Sequence, residues 1–298
     1  MLPAEIIERF RVSPGNGFKL ADCDPEDTCG LDIGKKDAKE LLESGVKRLA
    51  NLQERLYAEG RWAILAILQG IDTSGKDGVI KHVLSGVNPQ GCEVHSFKQP
   101  SSLELAHDFL WRGTLALPAR GRIGIFNRSY YEETVVVRVH PELLEKQNLP
   151  LKLVTGDIWQ QRYEDINNFE LHLARSGTAP IKFYLNISKD EQLERLLARA
   201  DDPDKRWKFS LYDVEERKLW DKFIAAYDDT IRHTATAHAP WYVVPANHKW
   251  FSRLLVAAVL VERMEALDLQ FPKFDEANLE ALERARAALR AEADKLKR

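Results

Sequence analysis

Cysteine is scarce in this chain. Only Cys23, Cys29 and Cys92 occur, and none forms a CxxC pair. An odd, scattered set offers neither a disulfide framework nor a zinc site. Reduced, incidental thiols are the expectation. Long apolar runs are missing too. No stretch approaches the roughly 20 residues that a membrane helix needs. The N-terminus, MLPAEIIERFRV, is charged throughout and lacks the apolar centre of a signal peptide. Excess charge of either sign is also absent, the formal net charge being −3. No global field therefore recruits nucleic acid or an anionic membrane, and an anionic ligand must be met by local basic residues. Internal repeats and low-complexity linkers are not found. What is present is ordinary: 44% apolar residues, 30% charged residues and a 298-residue length. Such a chain can bury a full core without staples. A cytoplasmic enzyme or binding protein is the expectation.

Apolar patterning supplies the architecture. Residues 1–34 mix Gly, Pro and Asp and read as an arm. From Asp37 to Tyr57, Ala38, Leu41, Leu42, Leu49, Leu52 and Leu56 share one helical face, and Gly60 is the stop. Ala63–Leu68 is a continuous apolar run suited to a strand buried on both faces. Further strands are expected at Cys92–Phe97, Ile123–Phe126, Ile181–Ile187 and Trp241–Val244. Capping boxes at Ser101/Glu104, Ser188/Glu191 and Ser210/Asp213 open helices expected to end near Leu117, Ala200 and Thr234. Residues 75–85 and 250–267 are helical, and a long helical region with a turn at Asn148–Pro150 follows the third strand. Alternating strands and helices imply an α/β fold, a parallel five-stranded sheet flanked by helices. Ligands are expected at the strand C-termini. The tail, 277–298, carries Leu282, Leu289 and Leu296 at seven-residue spacing. It reads as a helix packed on its own domain or on another subunit.

GIDTSGKD at 70–77 follows a buried strand and precedes a helix, the context of a phosphate-binding loop. Gly70, Gly75 and Gly78 permit close backbone approach. N–H groups from Thr73 and Ser74 onward form an anion nest at a helix N-terminus. Lys76 adds a point charge. The Ser/Thr that ordinarily follows this lysine is Asp77, and a second acid, Asp72, lies inside the loop. An acid in a phosphate nest repels its ligand unless a cation intervenes. Asp72 is therefore expected to hold Mg²⁺. Asp77 either joins it or merely complements the helix N-terminus. In IGIFNRSYYEE, the position of the usual Walker B acid is Asn127, which supplies no charge. Arg128 can clamp a transferred phosphoryl, with Glu132 near the acceptor or a metal; a structural Arg–Glu pair is the alternative. Arg195 to Lys208 is basic. Arg195, Arg199, Lys205, Arg206 and Lys208 suit a lid over phosphates or a solvated loop. Arg112, Arg138 and Lys81 are weaker candidates.

These segments resemble the polyphosphate kinase 2 family. The likeness runs from about Leu41 to Leu267. It rests on QGIDTSGKDGVIKHVLSGVNPQG, SFKQPSSLELAHDFLWR, IFNRSYYEETVVVRVHPE, IKFYLNISKDEQLERL, DPDKRWKFS and APWYVVPANHKWF. The resemblance implies a P-loop kinase fold with a helical lid, here about 195–222, in one phosphotransferase domain. An arm and helix (1–60), a core (61–270) and a C-terminal helix (271–298) make it up. It also implies phosphoryl transfer between inorganic polyphosphate and nucleotides with Mg²⁺ or Mn²⁺, and a homo-oligomer, dimer or tetramer. Asp72, Lys76 and Arg128 match the residues that handle metal and phosphates. Lys81 borders the polyphosphate channel, and Arg199, Lys205 and Lys208 match the lid. NRSYYEE, with Asn127 and Glu132, is similar to the class III subgroup, which acts on nucleoside monophosphates and diphosphates. Nucleotide contacts are assigned to Asn127, Arg112 and Arg138. Metal duty falls mainly on Asp72, with Asp77 or Glu132 as second ligand. The expected activity is polyphosphate-dependent phosphorylation of AMP and ADP, with GMP and GDP as further acceptors. An ATP-dependent nucleoside monophosphate kinase, or a non-catalytic nucleotide switch, would share the loop.

Overall fold

A computed structural model describes residues 2–15 and 17–296, the side chains of Lys35 and Lys208 excepted. The first half of the chain runs α1 (Ala4–Arg9), α2 (Lys35–Glu59), β1 (Ala63–Gln69), α3 (Lys76–Val83), β2 (Cys92–Ser96), α4 (Ser102–Leu105), α5 (Trp111–Leu115) and β3 (Ile123–Asn127). Short helices α6 (Val136–Val139) and α7 (Glu142–Glu145) lead to α8 (Ile158–Arg175) and β4 (Thr178–Asn186). Then come α9 (Lys189–Asp201), α10 (Leu211–Lys218), α11 (Trp220–Thr234), β5 (Trp241–Pro245), α12 (Lys249–Glu265) and α13 (Glu276–Leu296).

The five strands form one parallel sheet in the order β2-β3-β1-β4-β5. Its centre is the AILAILQ strand, buried at every position. Alternate residues serve opposite faces, as the strand period requires. Ile64, Ala66 and Leu68 join Leu49, Leu52, Leu56 and the apolar side of α12. Leu65 and Ile67 join Phe126, Ile166, Tyr184 and Phe223 on the other side. Helices thus cover both faces, and all strand C-termini open on one edge. β1 lies in the middle of that edge, so the loop after it is central.

Several local expectations are revised. The helix expected over 101–117 divides into α4 and α5. Asp108 accepts the Leu110 N–H at 2.9 Å and its carbonyl accepts from Trp111 at 3.1 Å, a local turn that restarts the helix. The helix expected over 210–234 bends at Leu219. Beyond it Trp220, Phe223, Tyr227 and Ile231 are buried, whereas no described side chain of α10 is. One straight helix could not lay both faces as required. The region 128–157 holds only short helical pieces. The N-terminal arm is partly ordered: Val12 and Trp241 are joined by a backbone hydrogen bond of 2.9 Å, as are Val243 and Phe10, so the arm covers the β5 edge.

Candidate active site

The loop after β1 is built on three left-handed or glycine-only conformations. Gly70 has φ +151°, and a Cβ there would lie 2.7 Å from Ser74 Oγ and 3.0 Å from the Leu185 carbonyl. Gly75 has φ +106° and is the residue on which α3 starts. Thr73, with φ +63°, has no such licence and costs about 1 kcal/mol or more. The loop is therefore held from outside. Arg195 on α9 does this. One guanidinium nitrogen donates to the Thr73 and Ser74 carbonyls at 3.2 and 3.1 Å. The other donates to the Ala246 and Asn247 carbonyls at 2.6 and 3.0 Å. Glu191 steadies it at 2.7 Å. Arg195, read from the sequence as a lid cation, is thus a buckle between the loop and the end of β5. Glu191 is accordingly free of the full capping box expected at Ser188, whose N–H donates to Asn247 instead.

Lys76 is buried beneath the loop. Its ammonium donates to the Gly70 carbonyl at 2.7 Å, the Ile71 carbonyl at 3.2 Å and Ser74 Oγ at 3.5 Å. Burial and then the Arg128 charge lower its pKa to about 7, against the pull of Asp72, Glu132 and Asp77. Asp72 is half-buried. Burial works to raise its carboxyl, but Lys76, Arg199 and Arg128 outweigh it and hold the carboxyl below its ordinary value. Asp72 lies 3.1 Å from Arg199 and 3.9 Å from Arg128.

Arg128 follows β3 with φ +64°. Its guanidinium is 3.0 Å from the Glu132 carboxylate, one turn on. Tyr227 is buried and lines the same cavity as this pair. Asn127 does not stand alone at its strand end: its amide donates to Asp77 Oδ1 at 2.8 Å, tying β3 to α3.

These groups open on a cavity of about 640 Å³, a size suited to a small organic ligand. Asp72, Arg128, Glu132 and Tyr227 line it, as do Phe97, Lys98, Arg112 and Gln147. Arg112 is committed to this wall, donating to the Lys98 carbonyl at 2.8 Å and lying over the Phe97 ring. Gln192, Leu196, Tyr212 and Asp213 line it from α9 and α10. Arg199 joins α10 to the loop, being 3.1 Å from Asp72 and 3.4 Å from Asp213.

Not every expected residue is brought in. Arg138 is not among the cavity's lining residues; it is held by Asp229 at 2.6 Å and Tyr163 at 2.8 Å. Lys81 is exposed on α3. Lys205 is exposed and paired with Asp202 in its own turn. The side chain of Lys208 lies outside the described residues. Arg206 donates to the last carbonyls of α9 and so caps that helix. Conversely, Gln192 and Tyr227 carry no sequence motif, and Asp213 reads only as the helix-capping partner of Ser210. Only the fold brings them to the cavity.

The arrangement is that of a glycine loop at a helix N-terminus beside a cavity, with Asp72 and Arg128 shared between them. Residues 32–272 match the family described as Polyphosphate kinase 2 (PPK2). An ADP-polyphosphate phosphotransferase from Rhodopseudomonas palustris is 49% identical over 89% of this chain and 92% of its own. An AMP/ADP-polyphosphate phosphotransferase from Meiothermus ruber is 47% identical over 90% and 96%. A crystal structure of polyphosphate kinase 2 from Arthrobacter aurescens superposes with a TM-score of 0.84 at 44% identity, over 93% of this chain and 96% of that one. The parallel sheet, the glycine loop after β1 and these likenesses agree: the chain belongs to the polyphosphate kinase 2 family.

Proposed function

We propose that this enzyme transfers the terminal phosphoryl of inorganic polyphosphate to AMP and ADP, reversibly, with GMP and GDP as further acceptors. The relatives named for AMP and ADP support the acceptor. The observation that carries the reading is the shared boundary: Asp72 and Arg128 belong both to the phosphate loop's surroundings and to the cavity wall. A donor phosphate in the loop and an acceptor phosphate in the cavity would meet there.

The residues suit Mg²⁺ or Mn²⁺. Mg²⁺ is ordinarily held by one or two carboxylates together with substrate phosphates and water. Asp72 is accessible, and Glu132 Oε1 is buried with no hydrogen-bond partner among the described residues. These two are the proposed ligands, whereas Asp77 is engaged by Asn127. Such an ion would offset charge on the phosphate oxygens. The rest is done by the chain. The loop N–H groups and Lys76 bind the donor phosphates. Arg128, oriented by Glu132, binds the equatorial oxygens of the phosphoryl in flight. An ionised acceptor oxygen forms the new P–O bond as the bond to the polyphosphate chain breaks, so no general base is required. Gln192, Leu196 and Tyr212 exclude water.

No helix among the described residues is long and apolar enough to cross a membrane. The small net charge supports a protein without a nucleic-acid partner. Self-association through α13 belongs to the same reading. All its described residues are exposed, including Leu282, Leu289 and Leu296. Asp275, Glu276, Glu280 and Glu283 crowd its start, and in its later part Arg284, Arg286, Arg290 and Lys295 outnumber Glu292 and Asp294. An antiparallel second copy would pair these charges.

The test is enzyme, Mg²⁺, polyphosphate and AMP, with ADP and then ATP followed by chromatography. A parallel arm replaces polyphosphate with ATP. Failure to phosphorylate any purine nucleotide from polyphosphate would refute the proposal.

A further inference from the structure

Behind the turn that carries Arg128 lies a cluster of ionisable groups that touches no substrate surface. Glu170 of α8 and Lys182 of β4 are both wholly buried. Lys182 Nζ donates to Glu170 Oε2 at 2.5 Å, to the Thr234 carbonyl at 2.7 Å and to the Tyr131 hydroxyl at 3.0 Å. The Tyr130 and Tyr131 hydroxyls both donate to Glu170 Oε1, at 2.9 and 2.8 Å. The Trp241 and Tyr131 rings flank the ammonium at 5.3 and 5.5 Å.

Stability does not account for this cluster. Each buried ion costs several kcal/mol in desolvation, and an apolar replacement of similar volume is often neutral or stabilising. What the cluster does geometrically is more specific. Arg128 is a non-glycine residue in the left-handed region, a conformation that persists only where its surroundings impose it. Upstream, its N–H donates to the Leu68 carbonyl at 3.0 Å, which ties it to β1. Downstream, Ser129 is buried and its Oγ accepts the Tyr131 N–H at 3.1 Å. The next two side chains are then fastened by their hydroxyls to one carboxylate oxygen. Burial, and after it the Glu170 charge, raise both phenols well above their ordinary pKa. Both therefore remain donors throughout the pH range of any assay.

We propose that Glu170, held in place by Lys182, is a positioning residue for phosphoryl transfer: by binding the hydroxyls of Tyr130 and Tyr131 it holds Arg128 in its left-handed conformation and aims the guanidinium at Asp72 and the phosphate loop. The inference rests on the reading of Arg128 as the group that binds the transferred phosphoryl. Glu170 itself touches neither substrate. It acts on the rate through Arg128 alone, which separates it from a residue that merely supports the core.

The experiment is a double-mutant cycle on the full chain. Tyr130→Phe and Tyr131→Phe each delete one hydroxyl and keep the ring. They are made in the native background and with Arg128→Ala, and folding is checked by circular dichroism and urea midpoint. Steady-state rates are measured with polyphosphate and AMP. In the native background kcat is expected to fall about 10- to 100-fold, the penalty for misplacing a reacting group by about 1 Å, with KM for AMP within about twofold. With Arg128→Ala the same substitutions should change kcat no further. An equal fold-loss in both backgrounds, or no loss in the native one, overturns the positioning role while leaving the reading of Arg128 intact. An unchanged kcat for Arg128→Ala alone overturns that reading and the positioning role together. Should Tyr131→Phe fail to fold, Tyr130→Phe closes the cycle, because it leaves Lys182 all three of its partners.

Discussion

Arg195→Lys tests whether the phosphate loop is held by its own sequence or by a buckle from α9. The arginine spans two segments, the Thr73–Ser74 carbonyls and the Ala246–Asn247 carbonyls, with the two arms of one planar fork. A lysine ammonium is a point charge and cannot serve both. At least one pair of carbonyls then loses its charged donor. A hydrogen bond to a charged group contributes about 1.5–3 kcal/mol, and water can partly replace it. A loss of about 2–4 kcal/mol is expected, well within the 5–15 kcal/mol typical of a domain and readable as a lower urea midpoint. The local effect should exceed the global one. Thr73 sits at φ +63°, and without the buckle it can relax toward the ordinary regions. KM for polyphosphate is then expected to rise about tenfold, whereas the cavity, which Arg195 does not line, keeps its KM for AMP within about twofold. An urea midpoint and a polyphosphate KM both unchanged would show that the loop stands without Arg195. A lower midpoint with an unchanged KM would reduce Arg195 to an ordinary stabilising residue.

Further outcomes are expected. Above pH 7 free Lys76 sheds its proton, so KM for polyphosphate should climb by up to about tenfold per pH unit, as a KM–pH profile would reveal. Stability moves the other way: the unfolded chain keeps this proton to about its ordinary pKa of 10.5, so unfolding free energy rises between pH 7 and that value, and Lys76→Met should flatten that rise in urea titrations. Gly70→Ala should abolish detectable phosphate binding in calorimetry, because its Cβ would lie 2.7 Å from Ser74 Oγ. Arg138→Ala should cost about 1 kcal/mol through its lost bonds and leave KM for AMP within twofold in initial-rate assays. Removing 271–298 should lower the sedimentation coefficient to that of a smaller species, and about 0.5 M salt should weaken association of the intact chain by screening.

Much of the fold was legible. The buried AILAILQ run, the glycine stop at Gly60 and the alternation of apolar strands with amphipathic helices specify a doubly covered parallel sheet, because side-chain period and burial are local properties. The conformation of the loop after β1 was legible for the same reason: its glycines and lysine act within eight residues. The breaks at Asp108 and Leu219 were less so: the first turns on the Asp108 side chain accepting the Leu110 N–H, the second on the burial of Trp220 and Phe223. Lys182 was a signal in plain view, a charge inside the apolar strand IKFYLNI, where a buried partner is the usual explanation.

The sequence by itself determined the glycine loop after β1, its two acids and the strand that Arg128 follows, because each depends on neighbours a few residues away. Tertiary structure alone decided which long-range groups complete them. It turned Arg195 from lid to buckle, drew Asp77 to Asn127, moved Arg138 to Asp229, and set Glu170 behind the Arg128 turn. These pairings span 39 to 122 residues of chain. A guanidinium's role depends on which acceptor the fold brings within about 3 Å, and no local pattern carries that distance.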